Sequence, residues 1–519
     1  MSSMTSMSSM GATWWQEAVI YQIYPRSFSD ADGNGVGDLE GIRHHLDHLA
    51  RLGVDAIWIS PFFTSPMADY GYDVADYCDV DPLFGSLADF DRLLEEAHRL
   101  GLRVLIDWVP NHSSDQHPWF LESLSGPSSP RRDWYYWREG AGPGRPPNNW
   151  RAAFIGGPAW TWDPRERQWY LHSFLPQQPD LNWGNPEVVA AMHDTLRFWL
   201  DRGVDGFRID VVHLIGKDPD LPDGPGRQPA ITDRWTTHAL LRDMRSLLDS
   251  YPGERTSVGE VYILDTAEVA SYYGQNDELH MAFNFPPLHA PWEAGAWRHC
   301  INETLGALGP RGAWPTWVLS NHDTPRHRTR YGTEARARAA AVLLLSLRGT
   351  PFLYAGEELG LEDAVVDGED VRDPGGRDGC RAPVPWTSVS GHGWPVTPWL
   401  PWPPDPDTRN AEVQNRDPDS ILYLYRRLLG LRRTREALRV GDLTLLDCPE
   451  GVLGYRRSAS AEELVVLVNF STMAVEVDVA GGPFHIELSS RSASESGPWE
   501  GRLGADQAVI LGPQPEGSA

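Results

Sequence analysis

Three carboxylates stand where three separate apolar runs end: Asp210 in GVDGFRID (203–210), Glu260 in TSVGE (256–260) and Asp323 in WVLSNHD (317–323). Each run reads as a short buried strand, with the acid where the strand emerges. In a barrel of alternating strands and helices the strand C-termini share one face, so the three acids converge there. Cleaving a glycosidic bond with retention needs an ionised carboxylate and a protonated one roughly 5 Å apart. The chain carries that pair, with a third acid beside it.

The elements that must hold these acids follow a rhythm. AVIYQIYPRSF (18–28), DAIWISPFF (55–63) and RVLIDWVP (103–110) read as strands. They alternate with helices over 39–53 and 87–101, each ending in Gly, as expected of a parallel sheet. Residues 111–182, rich in Pro, Gly, Ser and aromatics, interrupt the pattern and read as an inserted subdomain. Alternation resumes with a helix over 186–203, strand 204–212, a helix over 239–250 and strand 256–262. Strands over 278–286, 315–322 and 349–358 follow, with a helix at 334–349, which makes eight strands. The expected fold is a (β/α)8 barrel over 12–110 and 183–440, with the insertion after the third strand. The stretch 361–415 has no period and reads as long loops over the barrel mouth, and a helix over 420–438 completes the barrel. Short alternating strands then predict a C-terminal antiparallel β-sandwich over 441–519.

Composition narrows the partners. The formal net charge is −27 with no basic stripe, which argues against nucleic acid or an anionic membrane. Lys217 is the single lysine. Cys78, Cys300, Cys380 and Cys448 lack metal-type spacing, so a reducing compartment is the simpler expectation, with one disulfide left open. The polar start MSSMTSMSSM is followed by no apolar segment of the kind that targets secretion, and AAAVLLLSL (339–347) is too short to span a bilayer. A soluble cytoplasmic protein, monomeric or a small homo-oligomer, is expected. Loop aromatics such as Trp134, Tyr135, Tyr136, Trp137, Trp150, Trp160 and Trp162 either stack on sugar rings or cover a core.

Five motifs fall in order at strand ends: DWVPNH (107–112), QPDLN (178–182), GFRID (206–210), GEVY (259–262) and SNHD (320–323). With them the chain resembles glycoside hydrolase family 13, the α-amylase family, and within it the oligo-1,6-glucosidase and α-glucosidase branch. The resemblance covers essentially everything after the first dozen residues. It implies Asp210 as nucleophile, Glu260 as general acid/base and Asp323 as the carboxylate that fixes sugar hydroxyls. Arg208 lies two residues before Asp210, on the same strand face, where it can hold that acid ionised. His112 and His322 resemble histidines that hydrogen-bond the same glucose, and Asp107 and Asn111 resemble supports. Tyr72 resembles an aromatic platform under that sugar. Asp69 resembles a carboxylate that pairs with an arginine in GCRAPVPW (379–386), here Arg381, to close the pocket around a terminal glucose. That loop departs from the branch in Ala382 and Val384, where Thr and Met are usual. QPDLN marks the branch and is expected to shape the junction of insertion and barrel. Val211, after the nucleophile, is associated with tolerance of α-1,6 linkages.

The loop DADGNGVGD (30–38) carries oxygen ligands at alternating positions, Asp30, Asp32, Asn34 and Asp38, with the Val36 carbonyl available. Gly41 at the twelfth position excludes an EF-hand. The resemblance implies a structural Ca²⁺ or Mg²⁺ there, remote from the chemistry, and no organic cofactor. The implied activity is exo-acting, retaining α-glucosidase action on maltose-, isomaltose- or sucrose-type substrates. Two other readings stand beside it: a transglucosidase or sugar isomerase using the same site, and a non-catalytic binding subunit.

Overall fold

The structure is a computed structural model that describes residues 12–153, 156–224, 234–373, 375–460 and 462–514. Eight strands lie where the apolar runs predict them: β1 (Ile20–Ile23), β2 (Ala56–Ile59), β3 (Arg103–Trp108), β4 (Gly206–Ile209), β5 (Thr256–Gly259), β6 (Met281–Ala282), β7 (Thr316–Val318) and β8 (Thr350–Tyr354). All recorded pairings are parallel, in the order β6-β5-β4-β3-β2-β1-β8-β7. The two end strands, β6 and β7, are consecutive in the chain, so the sheet curls on itself. Side chains bridge that seam: the Thr316 hydroxyl donates to the Ala282 carbonyl at 2.8 Å, and the Tyr273 hydroxyl to the Trp314 carbonyl at 3.1 Å.

The helices end as their sequences dictate. Pro186–Arg202 stops at Gly203, whose φ of 104° only glycine adopts without strain. The helix expected over 39–53 is two pieces, Leu39–His44 and Leu46–Leu52, broken at His45. Glu334–Ser346 is buried on nearly every side, because one flank meets the barrel and the other the C-terminal sheet. Its all-round apolar sequence follows from that position.

The inserted region carries a three-stranded antiparallel sheet of Trp137–Arg138, Gln168–Leu171 and Trp160–Asp163. Here the sugar-stacking option for its aromatics gives way to packing. Trp134, Tyr135, Tyr136, Trp137, Trp150 and Trp160 are buried, and Trp162 packs against a cluster formed by Tyr136, Trp150, Trp160, Trp169 and Leu171. The C-terminal region is a six-stranded antiparallel sheet faced by the two-stranded ribbon Val475–Glu476 with Arg502–Leu503. Val477 and Leu503 share an apolar layer with Val465, Leu467, Val509 and Leu511 of the larger sheet. All four cysteines are free, and no helix among the described residues is long and apolar enough to cross a membrane.

Candidate active site

Strand register builds the centre of the site. Asp107 on β3 lies directly opposite Arg208 on β4, so a carboxylate meets a guanidinium inside the barrel mouth. Arg208 Nη1 donates to Asp107 at 2.8 Å and to Asp210 at 2.7 Å, while its Nη2 donates to Glu260 at 2.6 Å. Gly259, just before Glu260, has no room for a side chain: a Cβ there would sit 2.4 Å from Leu279. Val211, after Asp210, holds φ 33°, an unusual left-handed backbone for a β-branched residue. That turn aims its backbone N–H at the Glu260 carboxylate, 3.2 Å away. Strain of this kind persists where the surroundings over-determine it.

Three acids therefore surround one cation. Burial pushes Asp210 well above the ordinary carboxylate range, and the Glu260 and Asp107 charges add to it while Arg208 opposes it. Asp107 is pushed up to about 6, again by burial first, with Arg208 pulling the other way. Arg208 acts on Asp210 in the expected direction, but it is shared with two other acids. One positive charge faces two buried carboxylates and the half-buried Glu260, and both buried acids are raised, so the cluster holds a proton among its members.

A second layer fixes the rings. The His322 and Tyr72 rings are parallel within 2°, with centroids 5.6 Å apart. The Gln22 amide donates to His322 Nδ1 at 2.7 Å, which leaves the proton on Nε2, 2.7 Å from the Tyr72 hydroxyl. That hydroxyl in turn donates to Asp107 at 3.1 Å. Burial lowers His322 to about 3 and His112 to about 4, so both are neutral hydrogen-bonding groups at pH 7. His112 Nε2 is 3.0 Å from the Tyr72 carbonyl, and the Asn111 amide lies 3.1 Å from its Nδ1.

The closing pair differs from the sequence expectation. Asp69 meets Arg377, at 2.9 Å, and not Arg381. Arg381 turns inward, giving Nε to the His322 carbonyl at 2.7 Å and Nη2 to Asp323 at 3.0 Å. The reason is local: a 3-10 turn over Asp378–Arg381 directs Arg381 beneath the pocket, and Arg377 one turn earlier remains at its wall. Arg377 also reaches Asp323, at 3.0 Å, so the two arginines share that acid. Although burial raises Asp323, His322, Arg381 and Arg377 hold it well below the ordinary carboxylate range.

Gln178 of QPDLN donates to Asp69 at 3.1 Å, and Asp180 pairs with the buried Lys217 at 3.0 Å. Lys217 also donates to Asn111 at 2.7 Å and to the Leu214 carbonyl. His112 forms an isolated bridge with Asp180, so the motif joins the insertion to the strand β3 exit, as expected. Arg377, Gln22 and the role of Lys217 were missed from sequence. The pairing of Arg377 one turn before Arg381 was the available signal.

The acidic loop lies apart from these groups. Carboxylate oxygens of Asp30, Asp32 and Asp38 fall within 4.8 Å of one another. Asp32 is raised, by burial first and by the Asp38 and Asp30 charges, although the Asn34 backbone N–H lowers it. Asn34 hydrogen-bonds Asp32 at 3.0 Å rather than standing free, and its Oδ1 accepts from the Val36 N–H at 2.7 Å. Converging hard oxygens of like charge fit a divalent cation.

Comparison with known proteins agrees with this geometry. Residues 22–441 match the family described as alpha amylase, catalytic domain. The chain is 44% identical over 499 residues to a probable alpha-glucosidase of Rhizobium meliloti (strain 1021), covering 89% of this chain and 90% of that protein. It is 37% identical over 518 residues to an oligo-1,6-glucosidase of Parageobacillus thermoglucosidasius, covering 89% and 91%. The crystal structure of the alpha-glucosyl transfer enzyme XgtA superposes with a TM-score of 0.90 at 43% identity, over 97% of this chain and all (100%) of that one. The trehalulose synthase MutB from Pseudomonas mesoacidophila MX-45 gives 0.89 at 34% identity, over 97% and 100%. The chain belongs to the α-amylase family, glycoside hydrolase family 13. It is an enzyme, a glycoside hydrolase.

Proposed function

We propose that this enzyme is a retaining, exo-acting α-glucosidase that releases terminal non-reducing glucose from short α-glucosides of the maltose, isomaltose or sucrose type. The observation that carries the reading is a pair of carboxylates, Asp210 and Glu260, held on adjacent nitrogens of one guanidinium, with the Asp69–Arg377 pair beside them. Asp210 attacks the anomeric carbon while Glu260 gives a proton to the departing oxygen. Glu260 then takes a proton from water, which hydrolyses the β-glucosyl-enzyme and restores the α configuration. The Asp69–Arg377 pair closes the pocket beyond the terminal sugar, so a longer chain cannot pass through. Asp323, kept ionised by two arginines, accepts hydrogen bonds from sugar hydroxyls. His112 and His322 bond the same sugar as neutral rings, and Tyr72 lies beneath it.

A second reading is favoured by the solved neighbours named as a glucosyl transfer enzyme and a trehalulose synthase. There a sugar replaces water at the second step. We also assign a structural divalent cation, Ca²⁺ or Mg²⁺, to Asp30, Asp32, Asn34, the Val36 carbonyl and Asp38. Cytoplasmic residence is proposed on the four free thiols.

The test uses maltose, isomaltose, sucrose, maltotriose and soluble starch, with the first anomer followed by NMR. Free α-glucose from the short substrates and little from starch is expected. First-formed β-glucose, or equal release from starch, overturns the reading, and transfer products dominating at low sugar concentration favour the second. Asp210→Asn should cut kcat by roughly 10³-fold or more, the scale seen when a covalent nucleophile is removed.

A further inference from the structure

The rings of the pocket continue outward to a residue from the aperiodic loop. The Tyr72 hydroxyl is 2.7 Å from His322 Nε2, edge to edge, and His322 stacks on Tyr24 at 5.6 Å and 17°. Tyr24 in turn meets Trp399 at 6.4 Å and 44°. The Tyr24 hydroxyl is buried without a hydrogen-bond partner among the described residues. Packing therefore sets that ring: His322 and Trp399 beside it, and the Arg381 guanidinium 5.3 Å from its centroid.

Trp399 reaches the same groups by a second route. Its indole N–H donates to the Ser27 hydroxyl at 3.1 Å, and Ser27 donates to the Arg381 carbonyl. Arg381 holds both the His322 carbonyl and Asp323. On its other side the indole is 5.5 Å from the Tyr70 ring, next to Asp69, with the Arg26 guanidinium 4.9 Å from its centroid. Tyr70 and Met67 hold positive φ, 51° and 66°, so the loop carrying Asp69 and Tyr72 is strained and leans on its neighbours. The Trp399 backbone N–H is anchored to the Gly35 carbonyl at 2.9 Å.

We propose that Trp399 is a positioning residue for the terminal-sugar site: through Tyr24 and Ser27–Arg381 it sets where His322, Tyr72 and Asp323 stand. It touches neither Asp210 nor Glu260 by any recorded contact, so its effect falls on sugar binding and not on bond cleavage. This inference rests on the exo-acting reading, because it presumes a glucosyl unit seated on Tyr72 and Asp323.

The experiment compares wild type with Trp399→Leu and Trp399→Phe on p-nitrophenyl α-glucoside, with free glucose as competitive inhibitor. Losing the tilted ring contacts to Tyr24 and Tyr70 should raise KM about fivefold to tenfold in the leucine variant. The glucose inhibition constant should rise in parallel and kcat stay within about threefold, the pattern of lost ground-state binding. The phenylalanine variant keeps a ring but loses the Ser27 hydrogen bond, and should raise KM about twofold to threefold. A role confined to stability would move the melting temperature and leave KM and the inhibition constant unchanged, which overturns the proposal. So does a fall in kcat at constant KM, or a phenylalanine variant as damaged as the leucine one. If the leucine variant does not fold, the phenylalanine variant decides alone, with an unchanged KM overturning the idea. Failure of the functional reading is a separate result, since wild type itself would then not turn over the glucoside.

Discussion

At the scale of single residues, the deciding feature is three carboxylates facing one guanidinium. Two like charges about 4 Å apart repel by about 4 kcal/mol at an effective dielectric of 20, too much to leave all three ionised. Asp107 illustrates the linkage. Burial raises it to about 6, with Arg208 opposing, so the folded protein binds that proton more tightly than the unfolded chain. Its contribution to stability is fully present below the ordinary carboxylate value of about 4 and is lost as pH rises through about 6. Asp107→Asn keeps an acceptor for Arg208 and Tyr72 but removes a charge that raises Asp210. The acid limb of kcat/KM should therefore move to lower pH, by roughly half to one unit. The loss of stability between about pH 4 and 6 should shrink alongside it. A pH–rate profile whose acid limb stays in place or moves upward would contradict the shared-proton account.

At the scale of elements, the strands were legible and the loops were not. Runs such as AIWI and VLI are apolar because a barrel strand is buried on both faces, and that signal survives in one sequence. Acids at the ends of such runs converge because parallel strands end on one face, which is why the Asp210, Glu260 and Arg208 grouping could be read in advance. The partner of Asp69 could not. It lies 308 residues on in a stretch with no period, where one 3-10 turn decides whether Arg377 or Arg381 faces the wall. Loop aromatics stayed ambiguous for a related reason: polar neighbours in sequence hide a small core of their own. The acidic loop was legible as a cluster of carboxylates, because Asx spacing is local. In the fold Asp38 also caps the helix Leu39–His44 through Gly41 N at 2.6 Å, and Asp30 accepts from Gly33 N and Gly35 N. Each carboxylate thus has backbone partners, and their mutual repulsion is what a cation would offset. Chelator should lower the melting temperature, and Ca²⁺ or Mg²⁺ should restore it; an ion at 100 times its Kd contributes about 2.7 kcal/mol. Asp32→Asn should narrow the gap between chelated and ion-loaded protein. Equal melting temperatures with and without chelator would leave the loop a plain Asx turn.

At the scale of the whole molecule, a buried arginine of the C-terminal sheet reaches the end of a barrel helix, beside a second arginine of the barrel itself. Arg457 is fully buried and donates to the carbonyls of Ser346 and Gly441, while Arg432 donates to those of Leu345, Gly349 and Leu438. These carbonyls lie at or just past helix C-termini, where the backbone is short of donors and the helix dipole is negative. A guanidinium needs no carboxylate in such a place. The contacts gather before strand β8 begins at Thr350, on the barrel face opposite the strand ends that carry the acids. In barrels of this kind the lower face serves stability and the upper face chemistry. Arg457→Met keeps a long stem to fill the space but removes two donors from buried carbonyls. The expected cost is about 2–4 kcal/mol, read as a lower urea midpoint. With chemistry confined to the far face, kcat and KM at 25 °C should stay within about twofold of wild type. A variant that kept its urea midpoint would show the seam held by packing alone, around Trp292 and Phe470, whose rings lie 4.2 Å apart. One that kept its stability but lost turnover would mean that the C-terminal sheet reaches the site through a helix packed on it, such as Glu334–Ser346.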